Sequence, residues 1–432
     1  MEEKPNLDYL VDSILYNEYW YLMQMSCIYL DMRTPTKKCL SIINLILMGC
    51  VAIYELLICT ETAIRIPEDN LISSQAIHFV ILQIISLFVI TTTNIFRNNF
   101  EQIHYLMGSN IGAYDEETKQ GMENVKNKLK NKKKFLLHLI IIYLIFAGLF
   151  TAILAPAIDN FFASNIREEI YSPGGVSLNL PLPLWSPFGT HTSFGYLMSL
   201  FMELLCTYCI TVVVIGGDIL LLTVSQFVTT ELELLMIALK RLPQRTIRLY
   251  KIRHNIDTEC HINFKELKYN ANFMKCVQHC LKETVIHHQK ILQTFHELNG
   301  LISIAVFVAF FVASIVIAIS GFLMIFGNGA IGSMATAFIL GIGEVLNVLL
   351  LCWCGEQMRQ ANEKLSIVLY SVEWYYIKKE AVTYLMIMMM RAQKPLVMFA
   401  GRLVPVNFET FSNVMNTAYS YFNLLYASKI EH

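Results

Sequence analysis

The chain has 432 residues, 55% of them hydrophobic and 16% charged, whereas about a quarter of a soluble domain is charged, so too little charge is present to clothe a soluble surface. Its 33 Lys and Arg balance 34 Asp and Glu, and 12% of residues are aromatic, which argues against a nucleic-acid partner and against disorder. What remains is an integral membrane protein.

The opening MEEKPNLDYLVDS is acidic and polar, unlike the basic and then apolar start of a cleaved signal peptide, so the amino terminus is expected to be retained. A bilayer core of about 30 Å needs about 20 apolar helical residues per crossing. Seven runs qualify, at 39–59, 73–95, 135–158, 194–224, 300–326, 330–353 and 408–429, and they predict an all-α protein of seven transmembrane helices. The Met-rich stretch 381–390 is too short to cross, and it is read as a short helix that splits the last helix into a cytoplasmic and a membrane part.

Lys and Arg stay on the cytoplasmic side. The segments 1–38, 97–134, 226–297 and 354–407 hold 30 of the 33, and the others are Arg65, Arg167 and Lys429. The amino terminus is therefore predicted inside and the carboxyl terminus outside. This divides the chain into a cytoplasmic segment 1–38, spans one to four at 39–225, and a cytoplasmic helical extension at 226–299 suited to subunit contacts. Spans five and six follow at 300–353, a cytoplasmic segment at 354–407, and the last span with a short outer tail at 408–432. A G-protein-coupled receptor would have its amino terminus outside, and no Asn-Pro dipeptide occurs in the last span.

The outer loop 159–193 contains PGG at 173–175 and LPLPLWSPFG at 180–189. Its prolines prevent regular helix, and Trp185 and Phe188 suit a membrane interface; it reads either as a lid or as a structured linker. Cys260, His261, Cys276, His279, Cys280, His287 and His288 lie close in sequence but match no zinc spacing, and no disulfide framework is visible among the 11 cysteines. The basic run 126–134 reads as the inner anchor of the third span. Charges within spans are acidic, at Glu55, Glu203, Asp218 and Glu344, with no Arg series for voltage sensing; they suit helix–helix hydrogen bonds, a cation path or proton coupling.

The outer halves of four spans offer aromatic, aliphatic and hydroxyl side chains. They are His78, Phe79 and Gln83 in the second, Phe146, Phe150, Thr151 and Leu154 in the third, Tyr196, Ser199 and Leu200 in the fourth, and Met334 and Phe338 in the sixth. Such a set suits a pocket for a small neutral apolar molecule, or plain core packing. In the last span Asn413, Thr417, Ser420, Leu424 and Ser428 recur at helical spacing and share one face, with Phe411, Val414, Met415, Ala418, Phe422 and Leu425 largely elsewhere.

Residues 350–425 carry a resemblance. Leu351-Cys352-Trp353-Cys354-Gly355-Glu356, Tyr370-Ser371 with Trp374-Tyr375, the run from Met388 to Pro395, Pro405-Val406-Asn407-Phe408-Glu409-Thr410-Phe411 and Tyr419-Ser420-Tyr421-Phe422 stand in the order of the insect odorant receptors. HHQKILQTFHELNGLISIAVF at 287–307 extends the match, and residues 1–285 agree in topology and loop layout. The resemblance implies an odorant-gated non-selective cation channel of four subunits in the plasma membrane of olfactory sensory neurons, without catalysis, cofactor, metal or obligatory G protein. It implies an odour-tuned subunit assembled with a shared co-receptor, an odorant site in the outer part of the bundle, and a pore lined by the last span. Its narrow point would follow Tyr421-Phe422, which places it at Leu424. Gustatory receptors share the fold, but their Thr-Tyr and Gln-Phe signatures are missing, since Ala418 follows Thr417. A secondary transporter, the reading from another class, would show related halves with broken helices at the midplane.

Overall fold

The computed structural model describes residues 20–32, 34–65, 70–108, 114–162, 180–182, 184–190, 192–256, 263–326 and 331–430. The chain is almost wholly helical. In order the helices are α1 (Trp20–Met25), α2 (Pro35–Arg65), α3 (Asn70–Ile95), α4 (Arg97–Gly108), α5 (Glu116–Leu149) and α6 (Ala155–Phe162). They continue as α7 (Ser193–Lys240), α8 (Leu242–His254), α9 (Ala271–Phe326), α10 (Ile331–Ser371), α11 (Lys379–Ala392) and α12 (Phe408–Ile430). Over its described residues each of the seven predicted runs falls within a helix or, for 135–158, within α5, a π turn and α6 in succession. Five helices among the described residues are long and apolar enough to cross a membrane: Pro35–Arg65, Ile72–Ile95, Ser193–Lys240, Ala271–Phe326 and Met334–Ser371.

The other two runs fall short for visible reasons. In the third, a π-helical turn at Phe150–Leu154 separates α5 from α6. Pro156 stands two residues beyond it; it has no N–H to give the carbonyl four residues back, and the widened turn relieves that loss. In the last, the polar stripe lowers the hydropathy.

Helices α7 and α9 have 48 and 56 residues, about 72 and 84 Å by helical rise, so both run well past a bilayer core. Their extensions, with α8, α10, α11 and the near-terminal Met23, Ile28 and Tyr29, build the main core at the end of the bundle that the charge count makes inner. Leu232, Leu235 and Leu239 are fully buried there, against Phe273, Leu281 and Leu298 of α9 and Leu365 and Leu369 of α10. The predicted helix at 381–390 is found as α11, and its buried Leu385 and Met388 join the same core.

A buried polar network ties the α4–α5 connection into this end. Tyr114 Oη lies 2.7 Å from His287 Nδ1, and His287 Nε2 lies 2.9 Å from Glu231 Oε2. An imidazole donating from Nε2 to the carboxylate accepts the phenol proton at Nδ1, so all three groups are satisfied. Beside them Arg245 donates to Glu283 at 2.7 Å and lies 4.4 Å above the Tyr114 ring. Burial pushes His288 down to about 4, with Arg391 and His287 adding to the effect, and pushes the Cys280 thiol up to about 11.

Between α11 and α12 the chain forms a two-stranded antiparallel hairpin, β1 (Phe399–Ala400) and β2 (Val404–Pro405). Gly401 and Arg402 turn it at positive φ. It is sewn to α9: Phe399 N donates to Asn299 Oδ1 at 2.8 Å, Gly401 N to the Ser303 carbonyl at 2.8 Å, and Arg402 N to Ser303 Oγ at 3.2 Å. Asn407 then starts α12 by accepting the Thr410 amide at 2.9 Å.

Candidate functional site

Two surfaces hold the candidate residues read from the sequence, the half of the bundle that the charge count makes outer and the free face of α12. In the outer half, α2, α3, α7 and the loop residues Leu182 and Leu184 meet around Ile58, Cys59, Ala76, Phe79 and Ile210. The loop is fastened by its backbone. Leu182 N donates to Glu203 at 3.2 Å, and Trp185 N donates to Thr62 Oγ1 at 2.9 Å. Ser186 Oγ is hydrogen-bonded to Ser199 Oγ, and the Trp185 ring lies under the Arg65 guanidinium at 4.5 Å. Phe188 is exposed at the rim, 6.5 Å from Tyr54. The PGG of the same loop, like Cys260 and His261, lies outside the described residues.

Of the residues proposed for a ligand, His78, Phe79, Gln83, Thr151 and Ser199 are buried. Phe150, Tyr196, Leu200 and Met334 are half-buried. Phe146, Leu154 and Phe338 instead project from the outside of the chain, 51%, 47% and 47% exposed, and so do not stand with the buried group. A membrane has no water to drive an aromatic ring inward, so lipid receives it as readily as the bundle does. On α3 three buried atoms lack a hydrogen-bond partner: Gln75 Oε1, His78 Nε2 and Gln83 Oε1. Buried polar atoms are nearly always satisfied, so this helix holds unused hydrogen-bonding capacity near its outer end.

Three of the four intramembrane acids are wall residues. Glu55 and Glu203 line a small cavity beneath the loop. Asp218 lines another of about 110 Å³ between α3, α7, α9 and α10, together with Asn347. Sequence reasoning had singled out these acids without assigning them to a site; an isolated carboxylate at the outer end of two neighbouring spans was the available signal. No group of three or more His, Cys, Asp or Glu suited to a metal occurs among the described residues.

Helix α12 packs against α9 and α10 through the apolar set read from the sequence. Val414 and Ala418 are buried, and Phe411, Met415, Phe422 and Leu425 are half-buried, with the Phe422 ring against Gly321. Asn413, Thr417, Ser420, Leu424 and Ser428 all lie exposed on the opposite side, Leu424 at 72%. The hydroxyls bond back to their own helix, Thr417 to the Asn413 carbonyl at 2.8 Å and Ser420 to the Asn416 carbonyl at 3.0 Å, which leaves their lone pairs facing outward.

Comparison with known proteins gives this geometry its family. A family model described as "7tm Odorant receptor" matches residues 73–419. Odorant receptor 19a of Drosophila melanogaster is 24% identical over 258 residues, which is 59% of this chain and 60% of that protein. Odorant receptor 10 of Aedes albopictus is 27% identical over 139 residues, 32% of this chain and 36% of that one. These alignments span less than two thirds of either relative. The solved insect olfactory receptor OR5 from Machilis hrabei shares the fold, with a TM-score of 0.73 at 15% identity over 97% of this chain and 99% of that chain. Its complex with eugenol gives 0.70 at 14% identity over 98% and 100%. With the family model covering most of its length, this chain belongs to the insect odorant receptor family.

Proposed function

We propose that the chain is the odour-tuned subunit of a heteromeric, odorant-gated, non-selective cation channel. It would assemble with a shared co-receptor as a heterotetramer in the plasma membrane of olfactory neurons. The observation that carries this reading is the division of α12: its apolar face is spent on α9 and α10, while a stripe of amide and hydroxyl groups interrupted by Leu424 is left for something outside the chain. A polar stripe facing lipid is costly, and four such helices around an axis remove that cost by enclosing water. In this reading the inner extension at 226–299 carries the subunit contacts.

The ligand is a small neutral apolar volatile received in the outer half of the bundle, where His78, Phe79, Gln83, Thr151 and Ser199 are buried and Phe79 packs with Leu182 and Leu184 of the loop. The eugenol complex of the structurally similar receptor supports a ligand of that size class. The test is whole-cell current from the chain expressed with and without the co-receptor against a panel of volatiles. Odour-dependent cation current only in the co-expressing cells is expected; its absence from both overturns the reading. Orientation is checked separately. An epitope after His432 should be stained on intact cells and one before Met1 only after permeabilisation.

A further inference from the structure

The cavity walled by Asp218 and Asn347 lies deeper in the bundle than the residues read as an odorant site. Along α7, Asp218 stands 19 positions beyond Ser199, about 28 Å by helical rise. One wall comes from α9, which contributes none of the outer residues. The volume is about 110 Å³. A cavity of about 150 Å³ takes benzene, so this one has room for about four or five non-hydrogen atoms.

Val89, Val213, Leu221, Ile302, Val306 and Ala309 make most of the wall apolar. Ser86 and Thr93 also line it, and they give their hydroxyl protons to the Leu82 and Val89 carbonyls of their own helix at 2.9 and 2.8 Å. Asp218 and Asn347 are different: among the described residues neither side chain has a hydrogen-bond partner. Water suits this space poorly. Filling it takes about three or four molecules at about 30 Å³ each, and each needs roughly two to four polar partners, more than an aliphatic wall with two free side chains supplies. A molecule with one polar end and a short carbon chain matches it. A hydroxyl both donates and accepts, so it pairs with a carboxyl and an amide together, and the chain fills the apolar remainder.

We propose that the cavity between α3, α7, α9 and α10 is a second binding site, distinct from the outer one, for a small neutral molecule with one hydroxyl, of the size of a short-chain alcohol, held by Asp218 and Asn347. Its occupant packs on the stretch of α9 that holds the hairpin leading into α12. Leu301, Ile302, Ala305, Val306 and Ala309 face the cavity, while on the other side of the same turns Ser303 accepts from Gly401 N at 2.8 Å and the Phe307 ring lies against Gly401.

The test uses Ala305→Cys in the purified full-length chain, with methyl methanethiosulfonate as a small thiol reagent and peptide mass spectrometry reading residue 305 alone. 1-Butanol should slow the reaction at a concentration about fivefold lower than its isomer methyl propyl ether, which lacks the donor, as one neutral hydrogen bond implies. Protection should stop improving from 1-butanol to 1-hexanol because the space is full, whereas partition into detergent improves with every methylene. Asp218→Leu and Asn347→Leu should each bring alcohol and ether together. Gly217 lines the cavity, and a Cβ added there meets nothing within 4 Å, so Gly217→Val should fill the space and remove the protection. Ala309→Cys, one turn further along the same wall, is the second reporter should Ala305→Cys not fold. Equal protection by alcohol and ether, an alcohol preference that survives both leucine substitutions, protection that survives Gly217→Val or keeps rising with chain length, or folded chains whose reporters do not react, each overturns the site. This assay needs no current, so it stands or falls apart from the channel reading. In the co-expressed channel Gly217→Val should keep the current evoked by a neutral volatile. Loss of that current at normal surface expression would make the cavity part of the odorant site and overturn its separateness.

Discussion

Two residues show how little freedom the inner end leaves. At Gly355 an added Cβ would lie 2.1 Å from the Val406 carbonyl oxygen, which is backbone and cannot swing aside. The Gly in Leu351-Cys352-Trp353-Cys354-Gly355-Glu356 is therefore the point at which α10 lets the backbone of Val406, between β2 and α12, lie directly against it. Gly355→Ala should destabilise the protein by about 1–3 kcal/mol, the cost of overpacking a tight contact, read as a lowered melting temperature in detergent and reduced surface expression. His288 gives a pH effect of known sign. Burial, then Arg391 and His287, hold it down at about 4, while an unfolded chain takes up the proton near 6.5. The unfolded state thus binds more protons below about pH 6.5, and stability is full above that value and lost as pH falls towards 4. Between pH 7 and 5 the loss is about 2 kcal/mol per such histidine. His104, pushed down to about 3 by burial, adds a similar amount, so His288→Gln should remove roughly half of this acid sensitivity in a thermal-melt series.

At the scale of elements, the hairpin 399–405 makes the inner core and the last helix one mechanical piece, since α9 holds the strands through Asn299 and Ser303 and Asn407 caps the helix that follows. Asn407→Ala should cost about 1 kcal/mol, with Asn407→Asp close to neutral, seen in melting temperatures of the purified chain. The helices were legible in the sequence because lipid demands long apolar runs, and the sidedness of α12 was legible because lipid rejects amides and hydroxyls. The hairpin was not: strands of two residues have no periodicity, and their partners on α9 are about a hundred positions away in the chain. The π turn before Pro156 also escaped notice, since a proline near a helix end is usually tolerated. The exposure of Phe146, Leu154 and Phe338 was not legible either. Inside a bilayer, apolar character does not distinguish a bundle interior from a lipid face, so only the polar residues of the candidate site carried directional information.

The whole molecule leaves two kinds of surface uncovered, and their contrast argues for assembly. One is apolar, with Leu40, Ile43 and Leu47 on α2, Ile142 and Ile145 on α5, and Leu197 and Phe201 on α7, as a lipid-facing belt should be. The other is the face of α12, where Asn413, Thr417 and Ser420 precede Leu424. In the proposed ring of subunits that face would turn to the axis, its hydroxyls would replace part of a cation's hydration, and Leu424 would form a narrow apolar point that excludes water when closed. With the carboxyl terminus outside, as the charge count predicts, that point would lie towards the extracellular end. Leu424→Ser or Leu424→Ala in the co-expressed channel should therefore raise the current without ligand or alter ion permeability. Leu425→Ala, one position on but on the packed face, should do less. Leu424→Cys should be modified by a charged thiol reagent faster during odorant application than at rest, measured against the unsubstituted chain because Cys39 and Cys50 are exposed. Conduction unchanged by all three Leu424 substitutions, with no reagent effect above that baseline, would remove Leu424 from the pore and with it the axial placement of α12.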